Sequence, residues 1–195
     1  TLGISRWNVY ARLRRAEDAG IGTVSVLAVA TDLDVGRLAA RFGRLCDLAA
    51  DHGCDVQLEF SPLGGVPDLR VAWAIVETAD RANGGILFDT WHFFRADPDL
   101  ELLARVPGDR IFAVQLADAA TEVVGEGLWA DTMHHRRLPG DGDLSLDVVV
   151  EILAAIGGLR RWGPEVIADD LHALGPLEAA LRAMKASRRL IEAHG

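Results

Sequence analysis

Hydrophobic and polar positions alternate along this chain in two periods, and the periods take turns. From residue 8 to 19, Arg, Glu and Asp surround Val9, Leu13 and Ala16 at helical spacing, and Gly20 stops the run. Residues 23–29, TVSVLAV, are continuous and β-branched, the pattern of a strand buried on both faces. Leu38, Phe42, Leu45, Leu48 and Ala49 then recur one helical turn apart within residues 34–52, ended by Gly53. The same reading predicts strands at 55–60, 85–89, 110–118 and 164–169, and helices at 68–82, 99–105, 144–156 and 176–193. A polar stretch at 119–142 reads as one long loop.

Strands without polarity alternation, each followed by a helix, predict a parallel sheet covered on both faces, hence an α/β fold. A Gly-rich phosphate loop does not follow the first strand, which weighs against a dinucleotide-binding fold. A (β/α)8 TIM barrel fits the alternation but needs about 250 residues. With five parallel strands in 195 residues, the expectation is such a barrel without its first βα units, as one domain over residues 1–195. An open five-stranded sheet is the alternative.

Composition narrows the function. The formal net charge of −9 disfavours nucleic acid as a partner, since phosphate binding needs a basic surface. No run of about 18 apolar residues could span a membrane. The opening TLGISRWNVYARLRR is basic and amphipathic rather than a secretion signal. Cys46 and Cys54 are too few for a disulfide framework and read as reduced thiols of a cytoplasmic protein.

The candidate chemistry lies at the strand ends. Gly85 opens GILFD, which ends in Asp89, and His92 follows three residues later. That pair alone equally describes a helix cap beside a surface histidine. Glu59 at the end of QLEF, Gln115 within AVQLAD and Glu165 in PEVIADD add weight. A parallel barrel gathers such ends around one rim. Clustered carboxylates repel unless a cation joins them, and an oxygen-rich donor set suits Mg2+ or Mn2+, with Co2+ or Zn2+ as further candidates. In the 119–142 stretch, His134, His135, Arg136 and Arg137 form a basic cluster before the turn of Pro139, Gly140 and Gly142, and Trp91 and Trp129 are candidate pocket walls.

The ordered set LEF, FDTWH, VQLAD, RRLPGDGD and PEVIADD resembles the xylose isomerase-like TIM barrels, the sugar phosphate isomerase/epimerase group. The Gln at position 115 resembles the hydroxypyruvate isomerase and 3-dehydroshikimate dehydratase branches. The resemblance implies metal ligands at Glu59, Asp89, Gln115 and Glu165, and substrate contacts at His92 and Arg136. It implies Glu59 and Glu165 as the acid and base of an isomerase or epimerase acting through an enediolate on a small hydroxy-carbonyl compound. Water elimination by a dehydroshikimate dehydratase-like lyase is the second reading. A truncated barrel acting as a binding or assembly module is the third. Asp141 replaces the Glu usual in the family's turn. Apolar edges left by missing strands would favour a homo-oligomer.

Overall fold

The computed structural model describes residues 6–29 and 34–194. The first five residues of the basic opening lie outside that range. The described chain divides into two compact units, one ending at Leu87 and the other beginning at Phe88.

The first unit runs α1 (Arg6–Asp18), β1 (Thr23–Leu27), α2 (Val35–Ala50), β2 (Asp55–Glu59), α3 (Leu69–Ala79) and most of β3 (Gly84–Asp89). Its strands are parallel, with Thr23 beside Asp55 and Leu27 beside Glu59, then Val56 beside Gly84 and Glu59 beside Leu87. Asp34 and Asp68 begin α2 and α3 by accepting the backbone N–H three residues on, which satisfies a donor the helix leaves open. The stripe Leu38, Phe42, Cys46 and Ala49 of α2 is buried, as the periodicity predicts. Gly84 is required where α2 crosses β3, because a Cβ there would come within 2.9 Å of Phe42 and 3.1 Å of Cys46 Sγ. Asn83 ties the same corner by donating to the carbonyls of Cys46 and Cys54.

The second unit continues through α4 (Thr90–Arg95), α5 (Leu100–Leu103), β4 (Ile111–Leu116), α6 (Leu128–His134), α7 (Leu146–Ala155), β5 (Trp162–Pro164), α8 (Asp169–His172) and α9 (Pro176–His194). β4 and β5 are parallel, with Gln115 beside Gly163. Phe88, Phe93, Leu103, Ile111, Val114, Leu116, Val149 and Leu153 form its interior.

Four elements differ from the sequence reading, two of them the short helices α4 and α8, which it did not predict. β5 lies earlier than the predicted 164–169, so Glu165 follows the strand rather than opening it. The apolar VIA run had drawn the prediction forward, but after Glu165 the chain leaves the sheet, and Ala168 instead bridges His135. The 119–142 stretch is not a single loop, because α6 forms within it. Its polar side chains conceal a helix whose buried face is Asp131 and Thr132 rather than apolar residues.

Candidate active site

Asp89 closes β3 in an extended conformation and starts α4, its Oδ1 accepting the His92 N–H at 2.9 Å. Asp89 is therefore the helix cap of the plainer reading. Asp89 is fully buried, and Oδ2 accepts from Arg136 Nη1 at 2.8 Å. Burial by itself would push its carboxyl up, but the Arg136 guanidinium, with His92 and Glu165, holds it below its ordinary value of 3.8.

Arg136 arrives on a short segment held at the ends of β4 and β5. Asp118 and Arg137 exchange backbone hydrogen bonds, and Arg136 N–H donates to the Ile167 carbonyl. Its guanidinium is 3 % exposed as a residue and carries a dense set of bonds. Nη1 reaches Asp89 Oδ2, Glu165 Oε2 at 3.0 Å and the Glu165 carbonyl at 3.0 Å. Nε and Nη2 both donate to Thr132 Oγ1, at 3.1 and 2.8 Å. The Trp91 ring lies 5.0 Å from the guanidinium carbon, a cation–π contact in a dry setting. Arginine's planar fork suits this bridging of two carboxylates, which a lysine would not reproduce.

Glu165 is the second carboxylate of the bridge. Its Oε1 accepts from Gln115 Nε2 at 3.0 Å. The other end of that amide, Gln115 Oε1, is buried without a hydrogen-bond partner among the described residues. Leaving such an acceptor unpaired costs about 1–3 kcal/mol, so the position suits a water, a ligand or a cation. Ligand atoms of Asp89, His92 and Glu165 lie within 4.8 Å of one another, a spacing a single divalent ion can span. His92, expected as a substrate contact, therefore stands within reach of the same ion and adds a nitrogen donor. Its ring meets Trp91 edge-on at 5.2 Å. Glu59 ends β2 in the first unit, opposite Leu87 on β3.

Other polar residues near the site make contacts within the chain. Asp118, 1 % exposed, accepts from the N–H groups of Ala119, Gly140 and Leu144 and so fixes the glycine turn. His134 pairs with Asp169 and Arg137 with Asp143 on the surface. Trp91 is fully buried, whereas Trp129 is 66 % exposed. Sequence reasoning missed Thr132 and Asp131. Both are polar residues in a polar stretch, so no apolar pattern marked them.

Residues 5–190 match the family model described as xylose isomerase-like TIM barrel. The chain belongs to this family. It is 32% identical over 137 residues to a 3-dehydroshikimate dehydratase of Pseudomonas aeruginosa, covering 70% of this chain and 21% of that protein. It is 31% identical over 143 residues to the inosose isomerase of Bacillus subtilis, covering 72% of this chain and 50% of the relative. The chain thus spans half or less of the length of these two relatives. Among solved structures, the IOLI protein with a binding zinc atom superimposes with a TM-score of 0.87 at 22% identity, over 97% of this chain and 69% of that one. An L-ribulose 3-epimerase superimposes with a TM-score of 0.69 at 17% identity, over 96% and 68%. These likenesses show the TIM-barrel fold.

Proposed function

We propose that this chain carries the metal-dependent half of an isomerase site acting on a small α-hydroxy ketone. The observation that supports it most is the orphaned Gln115 Oε1, set beside Glu165 at a point where Asp89 and His92 also converge. An acceptor without a donor, two carboxylates and an imidazole together fit a divalent cation. Gln115, Asp89 and Glu165 would hold it, with His92 within reach. The oxygen-rich set favours Mg2+ or Mn2+, and the imidazole widens the choice to Co2+ or Zn2+. When bound, such an ion supplies polarisation of a carbonyl and its adjacent hydroxyl, which acidifies the α-proton.

The chain's own groups do the rest. Arg136 keeps Asp89 ionised and holds Glu165 Oε2, while Gln115 holds Glu165 Oε1, so the glutamate is aimed before substrate arrives. A carboxylate so fixed accepts the α-proton as the C–H electron pair moves into the carbon–carbon bond and the carbonyl pair moves onto its oxygen, and Glu165 can return the proton to the neighbouring carbon. His92 is placed to contact a substrate oxygen. Most of the Arg136 donors are engaged by described residues, so its main task is orienting the carboxylates.

Elimination of water after the same proton abstraction is the second reading, supported by the similarity to the Pseudomonas dehydratase. Incubation in D2O with Mn2+ and an inosose tests the first. Deuterium should enter at the carbon next to the carbonyl and be lost in Glu165→Gln, with Mn2+ affinity falling at least about tenfold, or about 1.4 kcal/mol. Aromatic absorbance from 3-dehydroshikimate would move the assignment to the lyase. Absence of calorimetric Mn2+ or Mg2+ binding by the native chain would sink both.

A further inference from the structure

Asp131 is a fully buried carboxylate that the proposed chemistry does not use. It sits on α6 and accepts three hydrogen bonds. Trp91 Nε1 donates to Oδ2 at 2.9 Å, Arg95 Nε to the same oxygen at 2.8 Å, and the Val124 N–H to Oδ1 at 2.8 Å. Arg95 in turn donates to the carbonyls of Ala120, Thr121 and Glu122, so one carboxylate fastens α4, α6 and the 120–124 strand-to-helix connection. A buried acid is costly, and a core position would be served more cheaply by an apolar residue. What the charge achieves here is the fixed orientation of one indole. The Trp91 ring is the surface against which the Arg136 guanidinium rests at 5.0 Å and the His92 ring meets an edge at 5.2 Å. With its N–H held, the ring cannot turn about its two side-chain torsions.

We infer that Asp131 is a positioning residue of this centre: by holding Trp91 it sets the seat of Arg136, and through Arg136 the aim of Asp89 and Glu165. The inference rests on the reading that those two carboxylates serve a metal. Partners behind a ligand set commonly tune affinity even when they touch neither metal nor substrate.

Two variants in the full chain test it. Asp131→Asn turns an amide N–H toward a donor, and Trp91→Phe keeps a ring but removes the held N–H. Native circular dichroism and a cooperative melt establish that each is folded; Trp91→Phe, the milder change, decides the matter where Asp131→Asn unfolds. The first readout is solvent exchange of the Arg136 Nε–H resonance, assigned by its loss in Arg136→Lys. The second is Mn2+ affinity by calorimetry. In folded Trp91→Phe, exchange should accelerate at least about threefold and Mn2+ affinity fall about three- to tenfold, below the range for direct partners of ligands. Exchange faster by less than about threefold in that variant overturns the inference, whatever the stability change. A native chain that binds no Mn2+ overturns the metal reading instead, and the exchange rate still decides whether Asp131 positions Arg136.

Discussion

Arg136 illustrates how much one side chain can be asked to do. It neutralises a fully buried acid, steadies a second and rests on an indole, all through one planar group. Replacing it with Met would strand the Asp89 charge. The expected loss is about 3–5 kcal/mol, read from urea denaturation without added metal. Cysteine chemistry gives a second test at this scale. Burial, with the charge of Asp47, pushes the Cys46 thiol up to about 12, and burial likewise raises Cys54. Neither thiol should react with a disulfide reagent at pH 8 in the native chain, and both should react in guanidinium. Rapid reaction of the native chain would mean that α2 opens readily.

At the scale of elements, the glycine turn after Arg136 decides where that arginine can stand. Gly142 lies so close to the Asp118 carboxylate and the Ala119 carbonyl that a Cβ would collide with both. Gly142→Ala should therefore break the Asp118 contacts to Gly140 and Leu144 and cost about 1–3 kcal/mol in thermal or urea unfolding, the range for forced overpacking. It should also weaken Mn2+ binding, since residues 135–137 would shift with the turn. Retention of both stability and affinity would show that the turn is decoupled from the site. The elements themselves were largely legible. Strands β2 to β4 and the helices α2, α3, α7 and α9 follow from apolar periodicity, because each buries a regular stripe, whereas β1 forms from its apolar run but is not buried on both faces, Leu27 being 47 % exposed. α6 was hidden because the residues it buries, Asp131 and Thr132, are polar, and periodicity arguments see only apolar stripes.

For the molecule, a metal bound to the folded chain and not to the unfolded one must raise its stability. Mn2+ at about a hundred times its dissociation constant adds about 2.7 kcal/mol. For a chain of this size that is a rise in Tm of about 5–10 °C, which a chelator should reverse. No shift with Mn2+ or Mg2+ would contradict a site built for them. Among the described residues no helix is long and apolar enough to cross a membrane. Leu177 and Leu181, one turn apart on α9, are 74 and 59 % exposed, which keeps self-association as a proposal that sedimentation can decide.

By itself the sequence determined the βα alternation, the family and the residues at the strand ends, because each of these is a local pattern. Periodicity follows from burial on one or both faces, and the acids and amide of Asp89, Gln115 and Glu165 stand out within otherwise apolar runs. Only the tertiary structure decided what joins them. Glu165 had to come at the end of β5 rather than at its start, a shift that depends on pairing with β4 and not on local preference. The bridging of Asp89 and Glu165 by Arg136, 47 and 29 residues away in the chain, has no sequence signature. Neither has the Asp131 clasp on Trp91, 40 residues apart. Buried charges find their partners in space, and the cost of leaving one unpaired is what brings these distant residues together.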